Sequence, residues 1–272
     1  MKQIIKSLLF RTLHLLNPIT NFFEKFVYSI RLSKWINKNP YPNSYRKYLK
    51  GKKHITRYDL YSYILKHENI DDDIIDYLEF GVYKGDSLKW WSEHLKNSNT
   101  RLFGFDTFTG LPEKFASLKK GHFSTNKSLP NINDKRIRYE IGLFQETLDI
   151  FINTIDLKRK SIINIDADLY SSTLFVLTKL IPKLKKGSIL IFDEFCSNFG
   201  THEYRAFIDF ISSYYIEYQF LGSVRNYTNV AIKILWINIL INITLILTKQ
   251  TVEPFFLILV IKKDQIIKLD SI

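Results

Sequence analysis

Cysteine is almost absent from this chain, which contains one, Cys196, among its 272 residues. A single cysteine excludes an internal disulfide and a zinc site built from several thiolates. We therefore expect a reducing compartment and predict a cytoplasmic protein. Uninterrupted apolar runs of the roughly 20 residues that a membrane span needs are also missing from the sequence.

Acidic residues are scarce at the start of the chain. Residues 1–60 hold 13 Lys and Arg but only two Asp and Glu, whereas the remaining residues hold 26 and 25. Of the net charge of +12, +11 therefore belongs to an N-terminal segment. No recognised nucleic-acid-binding module accompanies these cations, so we expect no nucleic-acid partner.

Within residues 1–54, apolar side chains spaced three or four positions apart are interleaved with cations, a pattern typical of a basic amphipathic helix. Two interpretations remain open. In one, residues 1–50 lie on a membrane surface, and the protein is peripheral to the membrane. In the other, the segment is a helical extension that covers the core, the active site or an interface of a homo-oligomer.

From about residue 55 onward, short apolar strands alternate with helices, which is typical of a parallel sheet covered on both faces. We predict an α/β fold in which residues 55–235 form a doubly wound, mostly parallel seven-stranded sheet. The expected strands are 76–80, 101–106, 136–141, 161–165, 188–192, 216–221 and 229–235. Residues 236–272 form an apolar C-terminal extension that does not fit this alternation.

The first predicted strand leads into a turn with two glycines four residues apart, Gly81 and Gly85. Glycine lets a ligand lie against the backbone, and free N–H groups at the start of the next helix favour a carboxylate. The turn matches neither G-x-G-x-x-G nor G-x-x-x-x-G-K-S/T, which counts against a dinucleotide or phosphate ligand. Asp106 ends the second strand, where such sheets hydrogen-bond a ribose diol. S-adenosylmethionine, a nucleoside with a carboxylate and no phosphate, fits this pattern.

Acids follow three of the predicted strands, namely Asp106, Asp166, Asp168, Asp193 and Glu194. The carboxyl ends of parallel strands meet at one edge of a sheet, and the only obvious cation nearby is Lys84. The carboxylates therefore call for a compensating ion, and Mg²⁺ prefers such oxygen ligands and acidifies a bound hydroxyl. Asp168 has a structural alternative, because it precedes a helix that it can cap.

The connection at residues 107–133 is longer than usual, which indicates a substrate-facing lid or an insertion with its own short helix. It contains His122, the histidine best placed to act as a general base. His202, which lies after the fifth strand, is a weaker candidate for the same role. The alternative is that His122 is an ordinary solvated loop residue.

Four ordered motifs resemble the macrocin O-methyltransferase family. They are EFGVYKGDS at 79–87, FGFDTFTGLPE at 103–113, IDADLYSST at 165–173 and IFDEF at 191–195. The resemblance covers about residues 55–235. It implies a class I, Rossmann-like methyltransferase fold, S-adenosylmethionine as methyl donor, a metal ion and a sugar hydroxyl as acceptor.

The resemblance also implies roles for individual residues. The methionine part of the cofactor is expected beside Glu79, Gly81, Tyr83, Gly85 and Ser87, the ribose at Asp106, and the adenosine beside Thr107 and Phe108. Mg²⁺ is expected at Asp166, Asp193 and Glu194, with Asp166 also a candidate base and His122 the counterpart of a lid histidine. Related enzymes carry Asp-Asp or Asp-Asn where this chain has Asp193-Glu194.

These observations predict an S-adenosylmethionine-dependent, Mg²⁺-assisted O-methyltransferase that acts on a hydroxyl of a sugar, a glycan or a glycosylated small molecule. Two rivals remain open. One is a membrane-associated protein that binds adenosylmethionine without turnover. The other is a nucleotide-sugar enzyme on a Rossmann-like sheet, against which the missing G-x-G-x-x-G and the missing Tyr-x-x-x-Lys pair both count.

Overall fold

The structure, a computed structural model, describes residues 2–115, 117–157 and 159–237. From residue 238 onward, the predicted C-terminal extension lies outside the described residues. The strands are β1 (Ile75–Phe80), β2 (Arg101–Asp106), β3 (Ile137–Ile141), β4 (Lys160–Ile165), β5 (Ile189–Phe192), β6 (Ile216–Val224) and β7 (Asn229–Ile237). The last strand thus runs two residues beyond its expected end.

In the described part of the chain, all seven strands join one sheet in the order β3-β2-β1-β4-β5-β7-β6. Strands β1 to β5 pair in parallel, whereas β7 is antiparallel to both β5 and β6. This arrangement confirms the expected doubly wound, mostly parallel sheet. The strand order reverses between β1 and β4, which is where sheets of this type bind their ligands.

The helices flank the sheet or precede it. They are α1 (Lys2–Thr12), α2 (Asn17–Lys38), α3 (Asn43–Leu49), α4 (Arg57–His67), α5 (Asp86–His94), α6 (Phe144–Thr154), α7 (Tyr170–Leu180), α8 (Ser197–Gly200) and α9 (Glu203–Ser213). Because successive strand residues point to opposite faces, β1 supplies Leu78 and Phe80 to one buried cluster and Tyr77 to another. Both faces of the sheet are therefore covered.

Helix α2 belongs to one of these buried clusters through Tyr28, Leu32 and Trp35. The Trp35 indole N–H donates a hydrogen bond to the Tyr218 hydroxyl at 2.8 Å. Its ring also lies 5.0 Å from that of Phe195 and 5.5 Å from that of Phe220. The second half of α2 thus covers the core, as one interpretation of the N-terminal segment expected.

Helix α4 starts at Arg57, directly after Thr56. The Asp59 carboxylate accepts a hydrogen bond from the Thr56 backbone N–H at 2.9 Å, which occupies a donor at the start of the helix that would otherwise lack a partner. This local pattern fixes where the helix begins and therefore where the Arg57 side chain emerges.

The long connection between β2 and β3 is folded back on itself. The Leu111 N–H donates to the His122 carbonyl at 2.8 Å, and the Gly121 N–H donates to the Leu111 carbonyl at 2.9 Å. Leu111 and Phe115 pack with Leu169 in a small buried cluster of their own. The short helix that was one alternative for this loop is absent from its described residues.

We expect Gly81→Ala to lower the free energy of unfolding by at least about 2 kcal/mol, measured by urea unfolding. Gly81 has φ +94°, and a Cβ there would lie 1.9 Å from the Asp166 carbonyl oxygen. The matched control is Gly51→Ala, because Gly51 has φ +85° but no atom within 4 Å of the added Cβ. This control should cost only the conformational strain, about 1 kcal/mol. Equal losses in the two variants would show that the close approach to β4 does not require glycine.

Candidate functional site

Backbone hydrogen bonds continue beyond the ends of the central strands. The Gly81 N–H donates to the Phe105 carbonyl at 2.9 Å, and the Asp166 N–H donates to the Phe80 carbonyl at 2.8 Å. The Asp193 N–H donates at 3.0 Å to the last residue of β4. These bonds place Gly81, Asp166 and Asp193 side by side at the carboxyl edge of the sheet.

A cavity of about 590 Å³ opens at this edge. Its walls come from the start of α4 (Arg57), the glycine turn (Gly81, Tyr83), the end of β2 (Asp106, Thr107), the long loop (Gly110–Glu113, Phe123), the start of α6 (Leu143–Glu146) and the ends of β4 and β5 with the start of α7 (Asp166–Asp168, Ser171, Ser172, Asp193, Glu194). This volume falls in the range that small-molecule sites usually have.

Seven of the residues predicted for the site line this cavity: Gly81, Tyr83, Asp106, Thr107, Asp166, Asp193 and Glu194. Five others predicted from the sequence are not part of the lining: Glu79, Gly85, Ser87, Phe108 and His122. The structure therefore brings the expected acids together but separates part of the expected cofactor set from the open space.

Three of these five residues are buried and do not face the cavity. Glu79 is buried, which raises its pKa to about 8, and it accepts a hydrogen bond from the Tyr77 hydroxyl. The Ser87 and Tyr61 hydroxyls are hydrogen-bonded to each other at 3.2 Å, and Phe108 is buried. These side chains can support the site, but they do not face its cavity.

Gly85 and His122 lie elsewhere. Gly85 precedes α5 with φ +81°, and a Cβ there would meet Pro130 at 2.7 Å. The exposed His122 ring packs against Phe123, with 4.4 Å between ring centroids, and Phe123 rather than His122 lines the cavity. Catalysis by His122 stays a prediction that this geometry does not favour.

The carboxylate of Asp106 accepts three backbone hydrogen bonds. One oxygen accepts hydrogen bonds from the Val82 and Tyr83 backbone N–H groups at 2.8 Å each, and the other accepts from the Phe108 N–H at 2.7 Å. Asp106 therefore ties the glycine turn to the end of β2. Since an ionised carboxylate has about four acceptor positions, capacity remains for one ligand hydroxyl.

Arg57 is the functional candidate that the sequence did not reveal. Its guanidinium donates to both Asp193 carboxylate oxygens, at 3.2 and 3.3 Å, and lies 3.9 Å from Asp166. Burial alone would lower the pKa of Arg57, but the Asp193 and Asp166 charges outweigh it and raise that pKa. Lys84, the cation expected from the sequence, instead places its Nζ 5.3 Å from the Tyr83 ring centroid and does not line the cavity.

One guanidinium does not balance the carboxylates around it. Burial in the cavity wall, together with the negative charges of Asp193 and Asp168, raises the pKa of Asp166 well above its usual value. Nevertheless, 30% of the Asp166 side chain is exposed. Burial likewise raises the pKa of Glu203, whose Oε1 atom has no hydrogen-bond partner in the part of the chain described. Its other oxygen accepts from the Glu194 N–H at 3.0 Å. Glu203 is a further member of this acidic group that the sequence did not reveal.

Asp168 has the most distinctive geometry of these acids. Its φ of +58° lies in the left-handed region, which costs a non-glycine residue about 1 kcal/mol or more and is concentrated at functional sites. Burial, together with the charges of Glu194 and Asp193, raises the pKa of Asp168 to about 7. No side-chain hydrogen bond caps the start of α7, so the helix-capping alternative for Asp168 is not supported.

The acids of the cavity fit Mg²⁺ in chemistry and charge but not as a preformed cage. They supply the oxygen donors that this ion prefers and more negative charge than Arg57 neutralises. However, no group of three or more His, Cys, Asp or Glu in the described ranges has the arrangement of a metal site. Glu194 instead accepts a hydrogen bond from the Ser197 hydroxyl, and Asp193 accepts from Asn229 as well as from Arg57.

Residues 78–195 match the family described as a methyltransferase domain. Among curated proteins, mycinamicin III 3''-O-methyltransferase of Micromonospora griseorubida is 27% identical over 116 residues, which are 42% of each chain. The 8-demethyl-8-(2,3-dimethoxy-alpha-L-rhamnosyl)-tetracenomycin-C 4'-O-methyltransferase of Streptomyces olivaceus is 26% identical over 155 residues, covering 48% of this chain and 58% of that protein. The chain therefore spans about half the length of the curated relatives it matches.

Two solved structures share the fold. The calicheamicin methyltransferase CalS11 has a TM-score of 0.52 and 20% identity, covering 76% of this chain and 91% of its own. The O-methyltransferase NovP has a TM-score of 0.50 and 16% identity, covering 79% of this chain and 100% of its own. With the strand order above, they confirm the class I, Rossmann-like fold that the motifs led us to expect.

We expect Asp168→Asn to stabilise the folded protein increasingly as pH rises, measured by urea unfolding at pH 5 and pH 8 in EDTA. The folded pKa, about 7, lies above the unfolded value of about 3.9, so the folded state retains this proton as the unfolded state loses it. Wild-type stability therefore falls between roughly pH 4 and 7, by up to about 4 kcal/mol, and the Asn variant escapes this loss.

The control for this experiment is Asp72→Asn, because Asp72 is an exposed acid that precedes β1, at the opposite edge of the sheet from the cavity. If the two variants show the same pH dependence, burial and the neighbouring charges do not raise the pKa of Asp168.

Proposed function

We propose that this chain is an S-adenosylmethionine-dependent O-methyltransferase that methylates a hydroxyl of a sugar or of a glycosylated small molecule. The main observation behind the proposal is the cavity at the point where the strand order reverses. It is lined by the glycine turn, by an acid at the end of β2 where such sheets bind a ribose, and by several further carboxylates. Both curated relatives are named O-methyltransferases, and the name of the second describes a rhamnosyl compound, which supports a sugar acceptor. The narrower resemblance to the macrocin family is part of the same proposal.

The cofactor would occupy the side of the cavity formed by β1, β2 and α6. Gly81 lines this side of the cavity with backbone atoms alone, and Asp106 keeps an acceptor position for a ribose hydroxyl. Phe144 offers an apolar wall for the adenine, and its ring is itself held against Phe80 at 5.4 Å. The amide groups of Val82 and Tyr83 are already bonded to Asp106, so they hold the turn in place rather than the ligand.

Methyl transfer breaks the sulfonium S–C bond while a new O–C bond forms, and the acceptor hydroxyl must lose its proton. We assign proton acceptance to Asp168 rather than to Asp166, the base expected from the motif. Asp168 lines the cavity and has no side-chain hydrogen bond within the described ranges, whereas Asp166 lies beside Arg57. Arg57 would hold Asp166 and Asp193 in position at the base of the acceptor side.

Magnesium remains part of the proposal, with Asp166, Asp193 and Glu194 as its protein ligands. When bound, the ion would supply positive charge that lowers the pKa of the acceptor hydroxyl. Its binding would also oppose the burial and the neighbouring negative charges that together raise the pKa of Asp166. A cytoplasmic location and a homo-oligomeric state stay predictions.

The experiment that tests the function incubates the full chain with methyl-labelled S-adenosylmethionine and a panel of free sugars, nucleotide sugars and glycosylated small molecules, with Mg²⁺ or EDTA. Label transferred to a hydroxyl supports the proposal. Calorimetric binding of the cofactor without transfer to any acceptor would favour the binding-protein rival. Binding of NAD in place of S-adenosylmethionine would favour the nucleotide-sugar rival.

We expect Asp168→Asn to lower kcat by about 10²-fold or more, as loss of a general base usually does. The affinity for S-adenosylmethionine, measured by calorimetry, should change less than about threefold, because Asp168 lies on the acceptor side. The control is Asp149→Asn, an exposed acid on α6 that pairs with Lys179 and is not part of the cavity. Near-normal turnover by the Asp168 variant would remove the base assignment.

We expect 10 mM Mg²⁺ to raise the melting temperature of the wild-type protein by several degrees, because a ligand that binds the folded state stabilises it. In Asp193→Asn the shift should be largely lost, and in Asp149→Asn it should persist. A wild-type melting temperature that Mg²⁺ does not move would contradict the metal site without affecting the methyl-transfer proposal.

A further inference from the structure

Helix α2 is apolar on two opposite sides. Tyr28, Leu32 and Trp35 are buried in the core. Phe26 lies about 160–200° around the helix from Tyr28 and Trp35, since an α-helix turns about 100° per residue. Its side, shared with Phe22 and Ile30, is open: the exposures of these three side chains are 57%, 68% and 55%.

The exposed side continues into α1 and the turn that follows it. We name this surface the N-terminal apolar face, and its exposed members are Ile5, Leu9, Phe10, Leu13, Leu16, Ile19, Phe22, Phe23, Phe26, Val27 and Ile30. They are 11 of the 21 large apolar side chains exposed in the described part of the chain. Scattered exposed apolar residues are normal, but those on α2 recur three and four positions apart and so form one stripe, which marks an interaction surface.

The charge around this face is almost entirely positive. Residues 1–38 contain seven Lys and Arg and a single acid, Glu24. The Glu24 carboxylate forms an ion pair with Arg205 on α9, so it offers little compensation to its neighbours on α2. Lys34 is exposed one helical turn beyond Ile30. Arg31 is also exposed but lies at the margin between this face and the buried side, with its guanidinium 5.2 Å from the Tyr28 ring centroid.

This charge distinguishes between possible occupants of the face. In a symmetric contact with a second copy, the same patch would meet itself, and its cations would face one another. An anionic lipid surface instead offers apolar depth and negative charge together, which is what basic amphipathic helices bind. In the described ranges, no helix combines the length and the hydrophobicity that crossing a membrane needs.

We propose that the N-terminal apolar face docks on an anionic lipid bilayer, with α1 and the exposed side of α2 lying in the plane of the membrane interface. The apolar side chains enter the headgroup region, and Arg31 and Lys34 contact lipid phosphates. The buried side of α2 stays on the core, so the same helix joins the body of the protein to the membrane. This inference does not depend on the methyl-transfer activity.

The test measures flotation of the full chain with vesicles of pure phosphatidylcholine and with vesicles containing 30% phosphatidylglycerol, at low and high salt. We expect binding to the anionic vesicles that high salt weakens. Phe22→Ser/Phe26→Ser should reduce binding at least about tenfold. The matched control is Ile150→Ser/Tyr215→Ser, because these two side chains, on α6 and in the turn before β6, are 66% and 71% exposed.

A second pair of variants tests the charges. Arg31→Gln/Lys34→Gln should weaken binding to anionic vesicles by about 20- to 30-fold, since each basic residue near such a surface contributes roughly fivefold. Lys89→Gln/Lys186→Gln, an equal loss of exposed charge elsewhere, should leave binding nearly unchanged. Circular dichroism and urea unfolding check that all the variants fold.

Three results would overturn the proposal. The first is an absence of wild-type binding to either vesicle. The second is equal loss of binding in the control variants. The third is a wild-type dimer that the Phe22/Phe26 variant dissociates, without vesicle binding by either protein, which would identify the face as an interface between copies.

Discussion

The arrangement of this site depends on a sheet edge that holds more negative charge than its surroundings balance. The hydrogen-bond ladder extends past β1, β4 and β5, so the backbone fixes Asp166 and Asp193 as neighbours whatever their mutual repulsion. Burial of the strands on both faces supplies the free energy that opposes this repulsion. Carboxylates crowded together in this way are common at functional sites, because a ligand or a proton can relieve their mutual repulsion.

Arg57 neutralises part of this negative charge. It reaches the acids from the first residue of α4, before the first strand of the sheet, and it bonds directly to Asp193. Its position follows from the hydrogen bond between Asp59 and Thr56, which fixes the start of the helix. A local feature of the chain thus places a cation at a site assembled from distant strands, and the remaining negative charge is available to a substrate hydroxyl or a metal ion.

Much of this could be predicted from the sequence. The apolar runs predicted the strands to within a few residues, and the acids that follow them were expected at one edge because parallel strands share a direction. Arg57 could not be placed from its own sequence neighbourhood, because its contact with Asp193 spans 136 positions and depends on how α4 packs. Similarly, spacing alone did not distinguish Asp168 from Asp166, because the tight turn at Asp168, in which the Leu169 N–H donates to the Ala167 carbonyl, is not apparent from the residue types.

The two apolar sides of α2 have a consequence for how the protein can be dissected. Deleting the first 38 residues would remove the surface-exposed phenylalanines, but it would also strip Trp35 from an aromatic cluster in the interior. A shortened chain would then be damaged for reasons unrelated to attachment. Whatever partner this helix meets outside, the inner half of its surface makes it an inseparable part of the folded body.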